Sequence, residues 1–181
     1  RSRIVTGVQT CALPILKVLD LGAAPGSWSL GAAERVGAQG KVLACDIQST
    51  VTVFPPNVEF HQEDVFQRSE AFERQLAETG PFHVVMSDMA PQTTGTKFTD
   101  QARSLELCLE ALAVAEKYLV KGGSFVVKIF MGPDVGELLK GMRPRFARVT
   151  SFKPQSSRVE SKETFFVGLG FKGKEADGAR D

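Results

Sequence analysis

Short apolar, β-branched runs alternate along the chain with longer stretches of helical period. The runs at Lys17–Leu21, Lys41–Asp46, Val58–Gln62, 82–88, 124–129, 148–152 and 164–170 predict seven strands. Helices fall between them, so the expected fold is α/β, a mostly parallel sheet covered by helices. The clearest helix spans 102–119, where Leu105, Leu109, Leu112 and Ala115 form an apolar stripe. Lys121, Gly122 and Gly123 are read as its stop. Only residues 153–163 join the last two strands, too few for a helical crossover, which predicts an antiparallel hairpin at one sheet edge. Residues 1–15 follow neither period, and Val8-Gln9-Thr10-Cys11-Ala12-Leu13-Pro14-Ile15 resembles translated sequencing-adapter read-through. The expected organisation is a non-native or irregular extension over 1–15, one folded domain over 16–172, and a flexible polar tail over 173–181.

A length of 181 residues with 43% hydrophobic content fits one domain with a sizeable core. Cys11, Cys45 and Cys108 form no close pair, and His61 and His83 lie far from any Cys-x-x-Cys spacing. Neither a disulfide framework nor a metal site is signalled, and a reduced, cytoplasmic protein is expected. No apolar run approaches the roughly 18 residues of a membrane span, so no membrane partner is expected. The formal charge of +1 hides an asymmetry: residues 41–120 hold 6 Lys+Arg against 12 Asp+Glu, whereas 121–181 hold 12 against 7. A basic C-terminal third suits a nucleic-acid partner and equally suits a solvated surface.

The segment Lys17-Val18-Leu19-Asp20-Leu21-Gly22-Ala23-Ala24-Pro25-Gly26-Ser27-Trp28 reads as a buried strand, a glycine turn and a helix start. Open α/β sheets bind ligands at such turns, outside the carboxyl ends of the strands. Gly22 and Gly26 are expected to let backbone approach a ligand, and Pro25 to fix the loop. The spacing lacks the Gly-x-Gly-x-x-Gly that cradles a pyrophosphate, which disfavours a nicotinamide oxidoreductase and suits adenosine carrying an amino-acid tail. Asp46 ends the second strand, about 20 residues on, where a carboxylate can accept ribose hydroxyls; Asp64 follows the third and can accept from an adenine amino group. Singly these acids also read as turn formers. Together with the glycine turn they resemble the S-adenosylmethionine arrangement of Rossmann-like class I methyltransferases.

Asp88 ends the fourth strand, Lys128 lies inside the apolar run Phe125-Val126-Val127-Lys128-Ile129-Phe130, and Glu163 precedes the last strand. A charge inside an apolar strand is costly unless paired, so Lys128 marks either a structural ion pair or a reacting site.

Four ordered motifs then resemble the FtsJ-like family of RNA ribose 2′-O-methyltransferases: Asp20-Leu21-Gly22-Ala23-Ala24-Pro25-Gly26, Ser87-Asp88-Met89-Ala90-Pro91, Gly122-Gly123-Ser124-Phe125-Val126-Val127-Lys128 and Ser156-Ser157-Arg158. The resemblance makes 16–172 a methyltransferase domain and S-adenosylmethionine its cofactor, with Gly22, Ala23, Pro25, Gly26, Trp28, Asp46, Asp64 and Asp88 as contacts. It implies a lysine–aspartate–lysine–glutamate tetrad of which Asp88, Lys128 and Glu163 match the last three members. The first lysine lies upstream of the glycine strand in the family, where this chain has 1–15; Lys17, inside the strand, is a poor substitute. Gln92-Thr93-Thr94-Gly95 stands where the family often has an asparagine. The implied substrate is a uridine ribose in 23S RNA of the large ribosomal subunit, met by a monomer, with transfer RNA and messenger caps as the relatives' alternatives. Lys97, Arg158 and Lys162 are candidate RNA contacts that also read as solvated charges. A ribose hydroxyl is a poor nucleophile, so positioning and proton acceptance by Lys128 are expected to carry the chemistry. Acting as base requires a neutral amine, which desolvation favours and Asp88 and Glu163 oppose; a protonated Lys128 that orients the oxygen is the alternative. Competing functions are a small-molecule or protein methyltransferase, disfavoured by Lys128 with Glu163, and a catalytically impaired RNA-binding relative, favoured by the missing first lysine.

Overall fold

A computed structural model of the protein describes residues 15–153 and 163–173. The predicted extension apart from Ile15, and the tail beyond Gly173, lie outside those residues. The strands are β1 (Lys17–Leu21), β2 (Lys41–Asp46), β3 (Val58–Gln62), β4 (Phe82–Ser87), β5 (Leu119–Phe130), β6 (Phe146–Phe152) and β7 (Glu163–Phe171); the helices are α1 (Ser27–Val36), α2 (Glu70–Thr79), α3 (Lys97–Tyr118) and α4 (Val135–Arg145). One sheet results, in the order β3-β2-β1-β4-β5-β7-β6. β1 to β5 pair in parallel, while β7 runs antiparallel to both β5 and β6. This is the expected α/β fold with its C-terminal edge hairpin.

Alternation along the strands divides the core between the two faces. Leu19, Leu43, Val85, Phe125 and Val127 join Phe72 and Leu76 of α2, Cys108 and Leu112 of α3, and Leu138 and Met142 of α4 in one cluster. On the other face Val18, Val42 and Met86 pack with Ala33 of α1. Burial on both sides explains why β1 and β2 read as nearly continuous apolar runs, broken in β1 by Asp20. The hairpin is anchored by Phe146, whose ring stacks on Phe125 with centroids 6.1 Å apart. A Cβ at Gly168 would come within 2.7 Å of the Phe146 ring, so only glycine lets that ring lie against β7.

The region around α3 differs from expectation. α3 starts at Lys97, five residues before the predicted start, and stops at Tyr118, because Leu119 is already extended with ψ 142°. Lys121, Gly122 and Gly123 therefore lie inside β5, where the register with β4 shifts between Phe82 and Val84. Gly122 has φ +84°, and a Cβ at Gly123 would approach the His83 carbonyl oxygen to 3.0 Å. The two glycines shape an irregularity in a strand and do not end a helix. The buried face of α3 runs through Ser104, Cys108, Ala111, Ala115 and Tyr118, which turns Leu109 outward to 37% exposure. No helix among the described residues is long and apolar enough to cross a membrane.

Candidate active site

The strand order reverses between β1 and β4, because α1 leaves β1 toward one face while α3 follows β4 on the other. The loops after those strands diverge and leave a crevice at their carboxyl ends. A cleft of about 490 Å³ lies there, lined by Gly22, Ala24, Asp46, Asp64, Asp88 and Lys128 among others.

The glycine turn is tied down by the protein itself. Gly22 and Ala23 donate their amides to the Cys45 carbonyl at 2.9 and 3.0 Å, and Asp88 donates its amide to the Leu21 carbonyl at 3.1 Å. Gly22 has φ +78°, and a Cβ there would lie 2.8 Å from the Met89 backbone nitrogen. A Cβ at Gly26 would lie 2.9 Å from the Phe54 ring. Both glycines make room for neighbouring loops of the chain; Gly22 also lines the cleft, whereas Gly26 does not. Ala23 is buried beneath the turn and Pro25 exposed at its tip, its carbonyl accepting the hydroxyls of Thr50, at 2.7 Å, and Thr52.

Asp46 accepts the Ala24 amide at 2.9 Å on one carboxylate oxygen and the Gln48 amide at 2.8 Å on the other. Asp64 accepts the Phe66 amide at 2.8 Å, the geometry of an Asx turn. Each acid is fixed by backbone donors and keeps further acceptor capacity on the cleft side. Ile47 and Phe66 flank them with 64% and 51% exposure, two large apolar surfaces beside two carboxylates. Sequence reasoning passed over both, because a single apolar residue after a strand end carries no period.

Asp88, Lys128 and Glu163 are brought together. Lys128 Nζ lies 2.8 Å from Asp88 Oδ1 and 3.8 Å from Glu163 Oε1. β5 and β7 set this spacing, since Lys128 stands opposite Phe165 and Glu163 opposite Phe130. β5 overhangs β4, whose last partner is Ser87 opposite Val127. In the overhang α3 replaces the missing strand: Cys108 Sγ donates to the Lys128 carbonyl at 3.0 Å, the Phe130 amide donates to Ser104 Oγ at 3.0 Å, and Gln101 Nε2 donates to the Met131 carbonyl. Three residues at helical spacing thus hold the strand segment that carries Lys128. Burial pushes the Cys108 thiol up to about 12, so it stays a neutral donor at this contact.

Asp20, in the middle of the apolar run of β1, was missed although it carries the same signal as Lys128. It is fully buried. Ser29 Oγ donates to its Oδ2 at 2.5 Å, while Oδ1 has no partner among the described residues. Burial drives its pKa up to about 7 against the lowering effect of Ser29, and the charges of Asp88 and Asp46 add to the rise.

Other expected contacts lie elsewhere. Trp28 packs on Phe165, ring centroids 5.4 Å apart, and lines an apolar depression with Leu16, Val84 and Met86 on the α1 face, outside the cleft. Lys97 is exposed at the first turn of α3 and does not line the cleft. Lys17 Nζ reaches the Gly80 carbonyl at 3.4 Å, at the amino end of the sheet, so it joins no cluster with Lys128. Arg158 and Lys162 lie outside the described residues.

Comparison with known proteins gives the arrangement its family. The sequence matches the FtsJ-like methyltransferase family over residues 6–171. It is 74% identical over 166 residues to the Ribosomal RNA large subunit methyltransferase E of Nitratidesulfovibrio vulgaris (strain DSM 19637 / Miyazaki F), covering 92% of this chain and 81% of that protein. To the protein of the same name from Lawsonia intracellularis it is 66% identical over 157 residues, covering 87% and 78%. Among solved structures, a ribosomal RNA methyltransferase of Plasmodium falciparum superposes with TM-score 0.72 at 25% identity, covering 88% of each chain. A Streptococcus mutans methyltransferase in complex with SAH shares the fold, with TM-score 0.56 at 13% identity over 86% of each chain. The chain belongs to the FtsJ-like methyltransferases, a family that takes its methyl group from S-adenosylmethionine.

Proposed function

We propose that the protein methylates the 2′-hydroxyl of a uridine ribose in the 23S RNA of the large ribosomal subunit, acting in the cytoplasm as a monomer. Its high-identity relatives bear the name of a large-subunit ribosomal RNA methyltransferase. The observation that carries the reaction type is the coordination of Lys128. Its Nζ has one carboxylate at hydrogen-bond distance, 2.8 Å, and a second at 3.8 Å, which leaves capacity for a third group in the cleft. A ribose hydroxyl is such a group.

The cleft suits the methyl donor. Asp46 offers acceptors for two ribose hydroxyls, Asp64 one for an adenine amino group, and Ile47 and Phe66 offer faces for the base. Asp20 is fully buried behind the glycine turn and does not line the cleft, so it meets a bound cation through its charge alone, and that cation's charge offsets the mutual repulsion of Asp20, Asp46 and Asp88. Bound there, S-adenosylmethionine supplies an electrophilic methyl on sulfur. Lys128 would hold the attacking oxygen in line with that methyl and receive the hydroxyl proton as the O–C bond forms and the sulfur–methyl bond breaks, the neutral thioether leaving; as an ammonium it would orient the oxygen while the proton leaves late, to water. Asp88 aligns Lys128 by its short contact, and Glu163 faces it from β7.

Mass mapping of ribose methylation on ribosomal RNA from cells lacking the protein tests this. One uridine of the large-subunit RNA is expected to lose its 2′-O-methyl group and regain it on complementation. An unchanged large-subunit map, or loss on transfer RNA instead, would contradict the substrate.

A further inference from the structure

Four carboxylates, Asp46, Glu63, Asp64 and Asp88, and one cation, Lys128, are the charged lining of the cleft. That balance attracts a cationic ligand and repels phosphate. An RNA substrate must enter this field, although the affinity of RNA for protein is drawn largely from cations set against its phosphates. Among the described residues, cations gather at the other end of the sheet, where β5 begins, β7 ends and α4 turns into β6.

Lys121, Arg143, Arg148 and Lys172 are all exposed there. Local pairing brings them together. Phe146 stands opposite Phe171 and Arg148 opposite Leu169, the Lys172 amide donates to the Arg145 carbonyl at 2.9 Å, and a Cβ on Gly173 would touch the Lys121 side chain at 4.0 Å. Among the described residues Glu116, at the end of α3, faces Arg145 at 2.9 Å. Among the described residues no salt bridge engages the other four cations. Lys121 and Lys128 lie seven steps apart on β5, roughly 20 Å at the usual rise of about 3.3 Å per residue.

We propose that this cationic end of the sheet is a second RNA contact, remote from the reacting site, that binds phosphates without reading sequence. The inference rests on the RNA reading above and sharpens its substrate class: a folded RNA large enough to reach around the protein from the cleft to the far end of β5. A nucleoside, a cap or a short single strand does not span that distance.

The test is direct titration of large-subunit ribosomal RNA with the unvaried protein and with a variant carrying Lys121→Gln, Arg143→Gln, Arg148→Gln and Lys172→Gln, at several salt concentrations. The four side chains are exposed, so the variant is expected to keep its melting temperature and its affinity for S-adenosylmethionine. Its RNA affinity should fall at least about 30-fold near 0.1 M salt, and the slope of log affinity against log salt should shrink by about 3, since each lost phosphate contact removes about 0.7–0.9. Transfer at saturating RNA should be unaltered. Equal affinity and slope in the two proteins would overturn the proposal. So would a loss seen only in a separate Arg158→Gln, Lys162→Gln variant, or a short oligonucleotide methylated as efficiently as the folded RNA. Because binding is read without turnover, an absence of methyl transfer by the unvaried protein would tell against the ribosomal RNA substrate and not against the remote contact.

Discussion

The protein holds two clusters of opposite charges, and they are built to different rules. Between α2 and α3, Glu73 accepts from Arg68 Nε at 2.5 Å, Lys117 Nζ at 2.8 Å and the Tyr118 hydroxyl at 2.6 Å, while Arg68 also reaches Glu110 at 2.8 Å. The bonds from Lys117, Tyr118 and Arg68 draw the Glu73 carboxyl down to about 2. Its hydrogen-bonding capacity is taken up within the fold. At the cleft, Lys128 has one short and one long contact, and behind the cleft wall Asp20 keeps a buried oxygen unpaired. A cluster whose members satisfy one another joins elements, whereas one that keeps acceptors and donors in reserve has room for a ligand.

The largest expected effect is at Lys128. Lys128→Ala should lower methyl transfer by roughly 10³-fold with cofactor affinity nearly unchanged, as expected of a group that acts on the reacting hydroxyl. If titration calorimetry shows normal binding and turnover persists, Lys128 is an ion-pair residue like those around Glu73, and the contrast between the clusters collapses.

Asp20 sharpens the contrast through pH. Its folded pKa, about 7, stands above the ordinary value of 3.8, so its contribution to stability is full below about pH 4 and is lost as pH rises through 7. Asp20→Asn should remove that loss, worth up to roughly 4 kcal/mol between pH 4 and pH 8 in the ligand-free protein. Thermal melts across that range check it, with parallel profiles for the two proteins as the contrary outcome. Added S-adenosylmethionine should raise the melting temperature of the unvaried protein more than that of the variant.

Asp46→Ala should weaken S-adenosylmethionine binding by about 10- to 100-fold, the scale of lost hydrogen bonds to a charged acceptor, in a protein that still folds. Unchanged affinity in calorimetric titration would leave Asp46 as a cap for the Ala24 and Gln48 amides alone. The smallest effect is expected at Glu73. Glu73→Gln should cost about 1–2 kcal/mol of stability and leave transfer per folded molecule intact. Because the Glu73 pKa is depressed, its contribution is present above the ordinary carboxylate range near 4 and fades as pH falls toward 2. Chemical denaturation at pH 7 and pH 3 reads this: the gap between the two proteins should narrow in acid.

β1 and β2 were legible because burial on both faces writes nearly continuous apolar runs, and β3, only half-buried, showed itself by alternating Val58 and Phe60 with polar residues; all three have the predicted bounds. The start of α3 was not legible. Its first turn is Lys97, Phe98 and Thr99, polar or exposed, and Asp100 is buried because its carboxylate accepts both the amide and the hydroxyl of Thr94 at 2.7 and 2.8 Å. Lys128 stood out as a charge in an apolar strand, and Asp20 stood out equally but was read as part of the glycine motif. Trp28 was grouped with that motif by adjacency, whereas helical geometry turns its ring toward Phe165. The Glu73 cluster had no sequence signature at all, since residues 68, 73, 110, 117 and 118 meet only when α2 and α3 pack.

Lys128 as the reacting-site residue is tested most directly by single-turnover methyl transfer to large-subunit ribosomal RNA, with position and atom of methylation mapped, for the unvaried protein, Lys128→Ala and Glu73→Gln at equal cofactor occupancy. One ribose 2′-oxygen is expected to be methylated by the unvaried protein and at the same rate by Glu73→Gln, with a rate lower by about 10³ for Lys128→Ala. Methylation on a base, or equal rates for the unvaried protein and Lys128→Ala, would contradict it.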